Sequence, residues 1–313
     1  MNNRNAKDGK LMTRRDLLVT LAGMGAGLVG RNAFGAPAAA IRRKIPRTGE
    51  RLPAVGLGTY DAFDVGPSGR ARAPVREVLR LFVEMGGTVI DTSPMYGSAE
   101  RVIGDLAADL GAQKSLFVAT KVWTRGRQAG IDQLETSMKL LRSNRIDLMQ
   151  VHNLVDWKTH LKTLRGWKEK KTIRYIGITH YTESAYDDLE RIMKAEELDF
   201  VQLNYSIGAR EAEKRLLPLA ADRGIAVLAN RPFQKAALFR RVRGIKLPSW
   251  AADFDCSSWA QFFLKFILSH RAVTCAIPAT SNPKHLMDNM HAGRGRLPDA
   301  KTRKKMVEFM GQL

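Results

Sequence analysis

The sequence predicts a single α/β domain, a (β/α)8 TIM barrel preceded by a short N-terminal hairpin. Eight short β-rich apolar runs alternate in strict order with amphipathic stretches. The length of 313 residues suits a barrel, which typically takes about 250 residues. No Gly-rich dinucleotide fingerprint follows any early strand, which argues against an open doubly wound sheet.

The first residues stand apart from this pattern. A polar stretch at 1–10 leads into Thr13-Arg14-Arg15-Asp16-Leu17-Leu18, then an apolar, Gly-rich run over 17–30 broken only by Thr20. At about 1.5 Å per residue that run is too short for the roughly 30 Å hydrocarbon core of a bilayer. No stable membrane span is therefore expected in the mature chain. Small residues at Ala36-Pro37-Ala38-Ala39-Ala40 suit a signal peptidase, and adjacent arginines ahead of a mildly apolar segment resemble a twin-arginine export signal. Residues 1–38 are accordingly expected to be a signal peptide and 39–313 the barrel. The twin-arginine export machinery is the implied partner, and the periplasm or exterior the implied location.

A hairpin is expected over 44–53, turning at Thr48-Gly49. Strands follow at 54–60, 88–93, 116–122, 146–153, 173–180, 200–205, 225–230 and 273–278, short runs of the kind buried on both faces of a parallel sheet. Helices are expected at 75–85, 99–110, 131–141, 158–170, 184–195, 211–222, 259–269 and 283–290, with one more at 298–313. Gly86, Gly111 and Gly224 stand where three of them should stop.

Lys and Arg outnumber Asp and Glu by 51 to 31, a formal charge of +20. The charges are spread over helix faces, as at Arg76, Arg80, 168–171 and 301–305, with no aromatic-interleaved basic stripe. A solvated basic surface is expected, without a nucleic-acid partner. Cys256 and Cys275 have no metal-ligand spacing to a His pair, and no metal site is expected. They could pair in an oxidising compartment; two buried thiols, on a helix and a strand, are the expectation.

Chemistry in such barrels sits at the C-terminal ends of the strands. The second expected strand ends in Asp91-Thr92-Ser93 with Tyr96 in the next loop, the third in Thr120-Lys121-Val122-Trp123, and the fourth in Val151-His152-Asn153. A carboxylate, a phenol, an ammonium and an imidazole should thus converge on one rim. A Lys closing an apolar strand needs a partner when buried, and Asp91 on the adjacent strand supplies it. These groups suit carbonyl reduction. Lys121 is expected to lower the pKa of Tyr96 from about 10 and make it a usable proton donor. Asp91 should hold Lys121 charged, and His152 should orient and polarise the carbonyl oxygen.

The stretches Gly56-Leu57-Gly58-Thr59-Tyr60, Asp91-Thr92-Ser93-Pro94-Met95-Tyr96-Gly97, Ala119-Thr120-Lys121 and Ile277-Pro278-Ala279-Thr280-Ser281-Asn282-Pro283 resemble the aldo-keto reductase family over residues 44–293. The resemblance implies a catalytic tetrad of Asp91, Tyr96, Lys121 and His152, a small-molecule carbonyl substrate, and NADP (NAD also fits) bound across the barrel mouth. It implies cofactor contacts from Thr59, Tyr60, Asp91, Thr179, Gln202, Asn230, Arg231, Thr280, Ser281, Asn282, His285 and Asn289, with Gln202 on the nicotinamide carboxamide and Arg231 suited to a phosphate. Tyr60 and Trp123 should line the substrate pocket. Departures from the family pattern are His180 where Asn is usual, Ala279 where a basic residue is common, and Asn230 where an aromatic ring commonly stacks on the nicotinamide. Tyr205 or Phe233 could supply that ring instead.

Two functions fit these features better than a third, an envelope redox-chain component whose bound nicotinamide is recycled by a partner. One is an NAD(P)H-dependent oxidoreductase reducing an aldehyde or ketone to an alcohol, with Tyr96 as general acid. The other is a nucleotide-bound redox sensor or accessory subunit with little turnover, towards which Asn230 and His180 point while the complete tetrad points to the first. Because twin-arginine export carries folded proteins, an exported enzyme of this kind gains by loading its cofactor before crossing. Replacing Arg14→Lys together with Arg15→Lys keeps the charge but not the guanidinium pattern, and should leave the precursor folded in the cytoplasm. Cell fractionation checks this; a double variant exported as efficiently as wild type would refute it.

Overall fold

The computed structural model describes residues 39–313; Arg14, Arg15 and the rest of the expected export signal lie outside the described residues. The chain enters through an antiparallel hairpin, β1 (Arg42–Lys44) with β2 (Arg51–Pro53). Its turn is closed by the Gly49 amide donating to Ile45 O at 2.8 Å.

The first half of the barrel runs β3 (Leu57–Gly58), α1 (Gly69–Glu84), β4 (Val89–Asp91), α2 (Ala99–Asp109), β5 (Phe117–Val122), α3 (Arg127–Leu140), β6 (Ile146–His152) and α4 (Trp157–Glu169). The second half runs β7 (Ile173–His180), α5 (Tyr186–Ala195), β8 (Phe200–Asn204), α6 (Leu216–Asp222), β9 (Ala226–Asn230), α7 (Ala237–Arg241), α8 (Trp259–Leu268) and β10 (Val273–Ala276). Helices α9 (Pro283–Ala292) and α10 (Ala300–Gly311) follow. Strands β3 to β10 pair in chain order, each parallel to the next. Parallel bridges Val55–Ala276 and Gly58–Ala279 bring the last strand back to the first, with the Gly56 amide donating to Ala276 O at 2.8 Å. The (β/α)8 expectation is met. Among the described residues no helix is long and apolar enough to cross a membrane.

Inside the barrel, Val89, Phe117, Leu148, Tyr175, Phe200 and Leu228 form one apolar cluster, to which Ile45 and Leu52 of the hairpin add a plug. Phe117 stacks on Tyr175 with centroids 5.9 Å apart, and Tyr175 meets Phe200 edge-on at 5.5 Å. The lower barrel is therefore filled by side chains. Only its upper end is left for chemistry.

Several expected elements differ in extent. Helix α1 begins earlier than expected, because Ser68 caps it by accepting from the Ala71 amide, and Pro74 removes only one of its hydrogen bonds. The expected helix at 211–222 is split into a 3-10 turn at Glu211–Glu213 and α6. Pro218 is the reason: its ring would clash with the carbonyl four residues back if the helix ran through. Helix α7 and the 3-10 turn at Ser249–Phe254 were not expected from the sequence. Both thiols are buried and free; Cys275 lies on β10 as expected, but Cys256 lies in the loop before α8 rather than on a helix.

The strand expected at 54–60 contracts to two residues, wedged between β4 and the returning β10. A Cβ at Gly56 would meet Val89 O at 2.8 Å, and one at Gly58 would meet Ile277 O at 2.7 Å. Glycine lets the backbones approach closely enough to close the seam. Gly56→Ala should therefore destabilise the protein by about 1–3 kcal/mol, the usual cost of overpacking. Urea denaturation reads this directly, and an unchanged midpoint would mean that the seam has slack.

Candidate active site

Strand alternation puts the functional side chains where they are. On β5 the inward residues are Phe117, Ala119 and Lys121; on β6 they are Leu148, Gln150 and His152. Each inward row starts apolar and ends polar. The register pairs Gly58 with Asp91, Lys121 with Gln150, His152 with Thr179, and Thr179 with Gln202. The polar ends therefore share one level at the mouth.

Lys121 is fully buried, and its Nζ donates to Asp91 Oδ2 and to Thr92 O, each at 2.7 Å. Burial alone would favour the neutral amine, but the charges of Asp91 and Tyr96 outweigh it and raise the Lys121 pKa. The other carboxylate oxygen, Asp91 Oδ1, accepts from Gln202 Nε2 at 2.7 Å and from Gln150 Nε2 at 3.3 Å. Gln202 Oε1 in turn accepts from Thr179 Oγ1 at 3.1 Å. Thr59 ties the first strand to the second by donating its hydroxyl to Asp91 O at 2.9 Å.

Tyr96 lies over this pair, with Lys121 Nζ 4.8 Å from its ring centroid. The pKa of the phenol is raised, not lowered as expected from the sequence: burial pushes it up and Lys121 offsets only part of that rise. The phenol thus stays protonated at neutral pH, which is the form a proton donor needs. His152 stands beside it, ring centroids 5.9 Å apart and nearly perpendicular. Burial first, and then the charge of Lys121, hold the imidazole down to a pKa of about 2. Its Nδ1 lies 3.0 Å from Ser93 Oγ.

These groups open on a cavity of about 1110 Å³ at the barrel mouth. Of the expected residues, Thr59, Tyr60, Asp91, Tyr96, His152, Thr179, Gln202, Asn230, Arg231, Thr280, His285 and Asn289 line it, as does Trp123. Lys121 sits behind the lining and acts through Asp91 and Tyr96. Ser281 and Asn282 do not line it; both are exposed, and the Asn282 side chain caps α9 by accepting from the Lys284 amide at 2.9 Å. His180 turns aside as well. It accepts from the Thr182 amide at 3.2 Å and stacks on Tyr181.

The sequence did not point to Ser93, Gln150 or, in the loop after β9, to Lys235 and Ala236, although it did point to Arg231 and Phe233 there. In that loop Arg231, Gln234, Lys235 and Ala236 all have positive φ, and Arg231, Pro232, Phe233, Lys235 and Ala236 wall one side of the cavity. None of these residues except Pro232 is a usual turn former, so composition carried no signal. Buried polar atoms without a partner among the described residues include Asn230 Oδ1, Arg231 Nε and Asn153 Oδ1, all belonging to cavity-lining residues. Such groups are costly unless a ligand satisfies them. They fit a large polar cofactor.

The sequence profile of the Aldo/keto reductase family matches residues 54–304. The chain belongs to the aldo/keto reductase family. Among curated proteins, it is similar to methylglyoxal reductase YeaE of Escherichia coli (strain K12), 28% identical over 246 residues that cover 76% of this chain and 84% of the relative. A crystal structure of an aldo/keto reductase from Klebsiella pneumoniae, in complex with NADP and acetate, superposes with a TM-score of 0.72 at 22% identity. That match covers 84% of this chain and 93% of the other. A thermostable aldo-keto reductase, Tm1743, in complex with the inhibitor epalrestat, gives a TM-score of 0.71 at 26% identity, covering 87% of this chain and all 100% of that one.

The pKa shifts fix the pH dependence expected of this aldo/keto reductase. With its pKa down to about 2, His152 stays neutral throughout the working range. With its pKa raised above the ordinary 10.0, Tyr96 keeps its proton up to alkaline pH. The kcat for reduction should be level from about pH 5 to about pH 9 and fall only beyond, because the acid is lost only there. A break near pH 6.5 that vanishes in His152→Gln would show that the imidazole titrates after all.

Proposed function

We propose that this chain reduces an aldehyde or ketone to the alcohol, using NADPH. The observation that carries this reading is the convergence of Tyr96, Lys121, Asp91 and His152 on one cavity wall, with the phenol held protonated. NADPH, when bound, supplies a hydride for the carbonyl carbon. Thr179, Gln202, Asn230, Arg231, Thr280, His285 and Asn289 are the cavity residues that would hold it. Tyr96 donates a proton to the carbonyl oxygen, and Lys121 stabilises the phenolate left behind. His152 orients that oxygen. The complete tetrad favours turnover over the sensor or accessory-subunit reading.

The names of similar proteins agree with this reading, since YeaE is a methylglyoxal reductase and the Klebsiella pneumoniae protein was crystallised with NADP. Export by the twin-arginine route, in folded form, is supported by Arg14-Arg15 ahead of the apolar run at 17–30 and by the small residues at 36–40. It makes cofactor loading before export part of the same proposal.

Tyr96→Phe conserves the ring and removes the acid. Carbonyl reduction should fall by about 10²–10⁴-fold, while NADPH binding, followed by fluorescence titration, stays close to wild type. Turnover above half the wild-type rate would show that another group donates the proton.

A further inference from the structure

We propose that Ser93 is a positioning residue that decides which nitrogen of the His152 ring carries the proton. Ser93 is fully buried at the end of the β4 segment, and its Oγ lies 3.0 Å from His152 Nδ1. The same oxygen accepts from the Met95 amide at 3.4 Å. Among the described residues His152 Nδ1 is the one acceptor recorded within reach of this buried hydroxyl, so its proton is satisfied only by pointing at Nδ1. Nδ1 is then the acceptor, and the proton of the neutral ring sits on Nε2.

The ring is held at Nδ1 by Ser93 and bordered by aromatic side chains. Tyr96 meets it edge-on at 5.9 Å and Trp123 lies 6.4 Å away, so two aromatic rings flank it. His152 lines the cavity, and with Nδ1 taken by Ser93 it is Nε2 that is left for a ligand. A protonated Nε2 donates to a carbonyl oxygen and draws charge from it. The opposite tautomer would present a lone pair to that oxygen and repel it. Because burial and the neighbouring Lys121 charge keep the ring from taking a second proton, it cannot donate from both nitrogens. A single buried hydroxyl thus sets whether His152 assists or opposes the substrate.

The inference rests on carbonyl reduction at this site, but the tautomer is measurable without turnover. In the 15N-labelled full chain, the ring nitrogen shifts of His152 should show Nε2–H in wild type and a substantial Nδ1–H population in Ser93→Ala. Loss of one such hydrogen bond should lower kcat by about three- to tenfold, with the affinity for NADPH unaltered, since Ser93 is not among the cavity-lining residues. The alkaline limb of the pH profile, which belongs to Tyr96, should not move. An Nδ1–H ring in wild type, an unaltered ring in Ser93→Ala, or an altered ring with unaltered kcat overturns the proposal. Absence of any carbonyl reduction by wild type would instead count against the reductase reading, with the ring nitrogens still reporting on Ser93.

Discussion

An ammonium that has lost all its water, as Lys121 has, is tolerable only where other groups replace that water. Asp91 and the Thr92 carbonyl do so at 2.7 Å each. Desolvation of such a pair costs several kcal/mol per ion, and stripping one partner from a buried pair typically costs about 3–5 kcal/mol. The pair is therefore retained for what it organises more than for net stability. Asp91 uses its second oxygen to hold Gln202 and Gln150, and Gln202 holds Thr179. One carboxylate thereby links β4, β5, β6, β7 and β8 at the barrel mouth. The same charges reach the reacting groups: Lys121 moderates the burial of the Tyr96 phenol and helps to keep His152 neutral.

The price of this arrangement is borne by the lower barrel, whose contents must be apolar and tightly filled. Two residues below Asp91 stands Val89, four below Lys121 stands Phe117, four below His152 stands Leu148, and four below Thr179 stands Tyr175, all in the same interior cluster. The hairpin closes that cluster from beneath with Ile45 and Leu52. A polar ring over an apolar plug excludes water from one side of the charges, and electrostatic interactions are stronger for it.

This alternation explains how far the sequence was legible. Apolar residues at even spacing below Asp91, Lys121, His152, Thr179, Gln202 and Asn230 place all six on the inner face once eight parallel strands are inferred. Closure of the barrel was less visible, because β3 is two residues long and is recognised by what a side chain at Gly56 or Gly58 would strike. Ser93 escaped notice because a serine two residues after Asp91 carries no signal until the fold sets it against His152, 59 positions away. The Tyr96 shift was misjudged in sign. Adjacency of Lys121 could be argued from strand order, whereas the larger contribution, burial, depends on how the cavity walls fold over the ring.

The wall near Asn230 differs from the family pattern in a way that the structure makes consistent. Tyr205 cannot supply the missing ring, since it is fully buried against Phe266 and its hydroxyl is held by Glu213 and Arg303. Phe233 lines the cavity but packs on Phe239 and Phe263. Tyr60, Trp123 and Tyr181, each more than two-fifths exposed, line the same cavity, and the Arg231 guanidinium lies 5.4 Å from the Tyr181 ring centroid. Around Asn230 stand Gln202 and Thr179, joined by hydrogen bonds, with Asn230 Nδ2 3.4 Å from Gln202 Oε1 and Asn230 Oδ1 without a partner among the described residues. Aromatic stacking is worth about 0.5–1.5 kcal/mol beyond burial, and one net hydrogen bond about the same. A hydrogen bond made to that partnerless oxygen would be of about the same size as the stacking it replaces, and directional. If a nucleotide lies at this wall, as proposed, the departure at Asn230 offers it a polar contact where the family commonly offers a ring face.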